Sequence, residues 1–343
     1  MVRVRRLAAS LAVVSIGTFM PIDEAKAQNE PKYAQNDPAD AQILFVANKR
    51  GDTLSKIDLE TGEEILRRES CANPHELATS PDSAHVAVAC YGGTRVDIFS
   101  AATLERLVSI DLNEDARPHG IVWMPDGTLY ATAEGRESIF RIEGALSNAP
   151  SLREYSTGRE GSHMVAVAPD ENTAWTTDLG SRTVTRIDLV SGAAMSVAVG
   201  EEPEGIALTP TGDTLWVSAR GSNQAFALDP DTMEIRETVE TGRFPLRLAI
   251  RPQGDVAITS DLMDGTLSVI DLETAEVVRS IPVSSPDRAQ DRFQVTILWS
   301  RNGSTIYVAE TASNTIAEID FHAGEVLRRL RAGEGGDGLA IVP

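Results

Sequence analysis

The sequence predicts an all-β fold, a single seven-bladed β-propeller, on three observations. A motif recurs seven times, ending in a small-apolar run and a turn: ELATSPD, GIVWMPDG, VAVAPDE, GIALTPTG, LAIRPQG, ILWSRNG and GLAIVP. Its turn residue falls at Pro81, Pro125, Pro169, Pro210, Pro252, Arg301 and Pro343, intervals of 44, 44, 41, 42, 49 and 42 residues. Repeats of this length made of short strands are propeller blades. Finally, the chain enters on a strand of the second type, ILFVAN, and leaves on one of the first type, GLAIVP. The last strand is therefore expected to supply the inner strand of the first blade and close the ring, which removes two free edges.

Each element follows from its residues. Residues 1–27 read as a signal peptide: Arg3, Arg5 and Arg6, an apolar run from Leu7 to Met20, then Ala25-Lys26-Ala27 before Gln28. Residues 28–41 are polar and Pro-containing, as in a mobile lead-in. The propeller is expected over 42–343. Within each repeat the small-apolar run is the inner strand. The second strand is ILFVAN, HVAVAC, TLYATA, TAWTTD, TLWVSA, DVAITS or TIYVAE, alternating and rich in β-branched and aromatic residues. The third ends in a recurrent Ile-Asp-Leu, as in SKIDLETG and TRIDLVSG, whose acid opens a turn. The fourth is more polar, as in EEILRRE and EIRETVE, which suits an outer edge. Trp123, Trp175, Trp216 and Trp299 stand where Tyr, Phe or aliphatics stand in other repeats, so they are expected in the core.

The chain carries 31 Lys and Arg against 51 Asp and Glu, a net charge of −20. Without residues 1–27 the net becomes −22 and no basic cluster survives. That excludes nucleic acid and, after signal cleavage, the membrane surface as partners, since both need a cationic face. The expected partners are a small molecule or another periplasmic protein, and the expected state is a periplasmic or secreted monomer. Two cysteines, Cys71 and Cys90, form no CxxC or CxxCH. Whether they pair is left open, because sequence does not give the Cα separation.

The repeats resemble the YVTN family of β-propellers. The closest copies are PEGIALTPTGDTLWVSARGSN (203–223) and ILFVANKRGDTLSKIDLETG (43–62), and the resemblance spans about residues 42–343. PHGIVWMPDGTLYATAEGRESIFRIE (118–143) also looks like a blade of the virginiamycin B lyase group. The first resemblance implies fold more than function. The second implies metal-assisted, His-dependent elimination as one possible chemistry.

The candidate site comes from aligning the entries to the inner strands. They read PHEL (His75), PHGI (His119), SHMV (His163), PEGI (Glu204), PLRL (Leu246), QVTI (Val295) and GDGL (Asp337). Three of five histidines share one repeat position in successive blades, where chance would place roughly 0.1 of them. Blade duplication could copy a histidine without purpose, so two readings stand. In the first, His75, His119, His163 and Glu204 hold a divalent metal of unknown identity at the channel mouth. Arg220, Arg247 and Asp337 would then contact a substrate. Cys90 falls opposite His75 if the hairpin turns at 81–84, where a His/Cys pair would suit a thiophilic metal. Asn48, Glu134, Asp178, Asp261 and Glu310 occupy nearby positions, while His85 and His322 lie near the opposite face and are expected to be solvated. No GxSxG, HExxH, P-loop or GxGxxG is present in a suitable context. The expected function is an exported propeller binding a ligand or divalent metal at its mouth. The alternative is a metal-assisted lactonase or lyase acting on a small ring. A redox role lacks any attachment motif.

Overall fold

The computed structural model describes residues 42–342. The expected signal peptide (1–27) and lead-in (28–41) lie outside the described residues. Seven antiparallel four-stranded sheets form the seven blades. Blade 1 takes Gly336–Val342 as its inner strand, followed outward by Ile43–Asn48, Thr53–Asp58 and Glu64–Glu69. The last strand therefore closes the ring on the first, as the chain ends predict. Blades 2 to 7 begin at inner strands Pro74–Thr79, Pro118–Trp123, Ser162–Val167, Pro203–Leu208, Pro245–Ile250 and Gln294–Trp299. The long interval before the last turn holds a 3-10 turn, Pro286–Arg288, and a one-turn helix, Ala289–Arg292.

The core lies in the seams between blades rather than at one centre. Ala87, Ile98 and Ile110 of blade 2 pack with Ile121, Ala131 and Phe140 of blade 3. Because a neighbour covers each face of a sheet, second strands are buried on both sides, and Leu44 to Asn48 are all buried. Fourth strands such as Glu64–Glu69 are mostly exposed, as their charge predicts. The third-strand acid works as expected: Asp58 accepts from the N–H groups of Glu60 (2.8 Å) and Thr61 (3.0 Å). Trp175, Trp216 and Trp299 are buried, whereas Trp123 is half-buried.

Cys71 and Cys90 form a disulfide. The cross-link ties the entry to the inner strand of blade 2 to the end of its second strand. Cys90 pairs with Pro74 rather than His75, because the inner strand carries an extra residue there. With both sulfurs in the disulfide, neither is a thiolate ligand, so a His/Cys metal pair does not form.

A polar group ends most second strands and ties them to the third. Asn48 donates to the hydroxyls of Thr53 (3.0 Å) and Ser55 (2.8 Å). At the same repeat position Asp178 accepts from Ser162, Thr183 and Thr185 at 3.1, 2.8 and 2.6 Å. Burial outweighs these bonds and pushes the Asp178 carboxyl up to about 6. A raised carboxyl contributes stability that is full below its unfolded value near 4 and is lost as pH rises through 6. Asn48 shows that an amide fits this position. Asp178→Asn should therefore match the parent at pH 4 and exceed it at pH 8 by about 2–3 kcal/mol. Urea denaturation at the two pH values checks this; an equal gap at both means the carboxyl is ionised throughout.

Candidate functional site: the channel mouth

Every inner strand carries a bulge at its mouth end. In blade 2 Pro74 pairs with Cys90 and Leu77 with Val88, so His75 and Glu76 together oppose one residue. The register shifts in the same way in the other six blades. A bulge re-aims side chains, and here it leaves two consecutive residues of each blade at the mouth end of the inner strand. The first position holds His75, His119, His163, Glu204, Leu246, Val295 and Asp337. The second holds Glu76, Gly120, Met164, Gly205, Arg247, Thr296 and Gly338. All three glycines at the second position are required by close approach, and a Cβ on Gly120 would fall 2.8 Å from the His163 carbonyl oxygen. A Cβ on Gly338 would strike the His75 carbonyl oxygen, and one on Gly205 would strike the Leu248 nitrogen.

The three histidines converge. His119 stacks on His163 with ring centroids 3.6 Å apart and lies 4.1 Å from His75. Tyr91 stands at their edge, 5.4 Å from His75 and 5.5 Å from His119. Charged groups bracket this stack. His163 Nδ1 meets Glu134 at 3.1 Å, and its Nε2 lies 3.5 Å from Glu204. Glu204 also accepts from Arg220 and Arg247. Arg247 donates in turn to Glu76 at 2.8 Å. Asp337 accepts from Lys49 at 2.8 Å and lies 3.1 Å from His75 Nδ1, without the alignment a hydrogen bond needs.

The three rings are shifted in different directions for physical reasons. Burial, with Lys49, Arg247 and His163 as neighbouring cations, pushes His75 down to about 3 despite Asp337. Burial and the two flanking histidines hold His119 well below the usual histidine range. Burial also works against His163, but Glu134 and Glu204 overcome it and raise the group. The stack is therefore two neutral imidazoles beside one that favours the imidazolium. Burial raises Glu76, while Arg247 opposes it; Glu204 is lowered, with its burial outweighed by Arg247 and His163.

A ring nitrogen each from His75 and His119 and a carboxylate oxygen of Glu76 all lie within 4.8 Å of one another. The Nδ1 atoms of both histidines are buried without a hydrogen-bond partner. Neutral imidazole with a carboxylate is a donor set that suits Zn, Fe, Cu or Mn. His163 and Glu204, placed with them by the repeat alignment, are engaged with each other and with Glu134 and the two arginines. Arg247 is buried and both its terminal nitrogens are taken; Arg220 is partly exposed and paired with Glu202 and Glu204. The alignment by itself pointed to neither Glu76, Lys49 nor Tyr91. Their signal was adjacency, to His75, to Asn48 and to Cys90, and it becomes readable only once the bulge is known.

A sequence profile of the YNCE-like β-propeller family matches residues 1–342. The chain belongs to that family. No curated protein matches it significantly. Similar solved structures include a functionally unknown protein from Desulfotomaculum acetoxidans, with TM-score 0.68 and 14% identity over 87% of this chain and 98% of that one. Kuenenia stuttgartiensis hydrazine synthase aligns with TM-score 0.67 and 14% identity, over 78% and 95%. A catalytically inactive virginiamycin B lyase from Staphylococcus aureus with quinupristin aligns with TM-score 0.63 and 19% identity, over 76% and 85%. The functions of these neighbours differ, so in this family the likeness establishes the propeller and not its chemistry.

Proposed function

We propose that this is an exported binding propeller whose channel mouth takes a divalent metal on His75, His119 and Glu76. One observation carries the reading: two neutral imidazoles with unpartnered buried nitrogens lie within reach of one carboxylate. An orphaned buried nitrogen is costly unless something binds it. His163 and Glu204 flank the set, and Lys49 with Asp337 closes its other side. A bound metal would supply Lewis acidity or a lowered water pKa. The chain's own part is to keep His75 and His119 neutral, and so able to donate a lone pair at neutral pH.

Zinc and manganese titrated calorimetrically into purified protein, with elemental analysis, test this. His119→Ala should weaken metal binding by more than the roughly tenfold cost of losing even an outer-shell partner. The fold should stay intact, because the inner-strand ladder does not use that side chain. His85→Ala and His322→Ala, on the other face, should bind as the parent does. Binding that is equal in parent and His119→Ala would reject the site.

A second reading adds chemistry to the same residues: metal-assisted lyase or lactonase action on a small ring. Its support is His163, which favours the imidazolium beside the neutral pair and so stands as a proton donor. Turnover of a small lactone by zinc-loaded protein, lost in His163→Asn, would favour it. Metal binding without turnover leaves the binding reading alone.

A further inference from the structure

Two tryptophans occupy the same repeat position, and their surroundings differ. Trp123 ends the inner strand of blade 3 and pairs with Leu129; Trp299 ends that of blade 7 and pairs with Ile306. In blade 7 the residue after the third strand, Phe321, covers Trp299 edge-on with centroids 5.0 Å apart. Trp299 is buried as a result. In blade 3 the pairing of Leu129 with Ile142 matches that of Ile306 with Ile319. The residue matching Phe321 is therefore Gly144. Where blade 7 has a phenyl ring, blade 3 has an open cavity of 570 Å³ bounded by Trp123, Pro125 and Leu146. It lies among the Pro-Asp turns, on the face opposite the histidines.

The rim of this cavity has a definite charge. Asp82, Asp126 and Glu143 line it, against Arg141 alone, which is paired with Glu143 at 3.1 Å. Two of the carboxylates are held in place by their own turns: Asp82 accepts from the Ala84 N–H at 3.0 Å and Asp126 from the Thr128 N–H at 2.7 Å. The indole N–H of Trp123 is already given to the Gly127 carbonyl at 3.1 Å. What remains for a ligand is the π-system of the ring, which the His85 ring approaches at 6.4 Å between centroids, with Asp82, Asp126 and Glu143 around it. The volume falls in the range of small-molecule sites. A cation over tryptophan is the strongest of the cation–π pairs, and net negative charge raises the local concentration of cations.

We propose that this cavity is a second ligand site, for a small organic cation with an apolar body, of the quaternary-ammonium class. Trp123 supplies the cation–π and apolar contact, and Asp82, Asp126 and Glu143 supply the field. The site is independent of the metal reading at the mouth.

Choline and its neutral carbon isostere, dimethylbutanol, are the probes, titrated into the full chain and followed by calorimetry and tryptophan emission. Choline should bind saturably, the isostere about tenfold more weakly, and choline binding should weaken as salt rises. Trp123→Val is a conservative test, since Val167 fills that position in blade 4. It should lower choline affinity by about tenfold or more while the thermal melt stays cooperative. Glu143→Gln, a surface change that does not threaten folding, should weaken choline several-fold. His119→Ala should leave it unchanged, which separates this site from the mouth. No saturable binding, equal binding of the isostere, or full affinity in both Trp123→Val and Glu143→Gln would overturn the proposal.

Discussion

Deleting residues 336–343 should leave the chain largely unfolded at room temperature. Gly336–Val342 is the inner strand of blade 1, paired along Ile43–Asn48. Its residues enter two seams at once: Ala340 and Val342 pack with Phe45 and Cys71, and Leu339 packs with Tyr307 and Leu44. Burying Leu339 and Val342 contributes roughly 1.5–3 kcal/mol each. Losing the strand also strips partners from the Ile43–Asn48 ladder and leaves Lys49 and His75 without Asp337. With a typical total of only about 5–15 kcal/mol, the burial, ladder and ion-pair losses together leave little to hold the ring closed. Removing residues 28–41 instead should barely move the melting temperature. Equal melts for the two truncations would contradict closure by the last strand.

Replacing Arg247 should have the next largest effect. Its guanidinium is buried between Glu204 and Glu76, and both carboxylates are themselves buried. Removing one partner of a buried pair leaves a charge without compensation and typically costs about 3–5 kcal/mol. Arg247→Met keeps most of the packing volume, so the loss it shows is mainly electrostatic. Glu204 retains Arg220 and His163, whereas Glu76 keeps only the distant His75, 3.9 Å away. Adding Glu76→Gln to Arg247→Met should therefore recover part of the loss, and the recovery measures their coupling. The pH dependence has a definite sign. Glu204 is depressed in the folded state, so its contribution is present above its unfolded value near 4.3 and is lost as pH falls through the folded value. The deficit of Arg247→Met should be largest at neutral pH and narrow in acid. If Glu76 joins a metal set, zinc should stabilise Arg247→Met more than the parent. A deficit under about 1 kcal/mol at pH 7 would mean that the remaining cations suffice.

The fold was legible because a propeller repeats its sequence signal seven times, and errors at one strand end do not propagate. Second strands expected at 128–133, 214–219 and 255–260 begin one residue later in the structure, and Asp261 is added to the last. The site was half legible. One repeat position gave His75, His119, His163, Glu204 and Asp337 together. What repeat alignment alone did not give is the bulge, since strict period-two alternation sends the neighbour of an inward residue outward. Glu76 is therefore at the axis without having been singled out. Arg247, expected to face the mouth, lies within the ring of carboxylates instead of above it. The disulfide was undecidable from spacing, because two cysteines 19 apart reach each other only if the entry loop lies beside the strand end.

The repeated bulge also bears on how such a protein can change its role. The inner ends of the strands form a set of addresses, two per blade, whose side chains are not needed for the ladders. Most can be rewritten one at a time, so a lineage could exchange ligands by point substitution without refolding the ring. The exceptions are addresses such as Gly205 and Gly338, where any Cβ strikes the adjoining blade. Variation there, and at Arg247 with its two buried pairs, should be rare, and any new binding chemistry should be written on positions outside those pairs, such as Thr296.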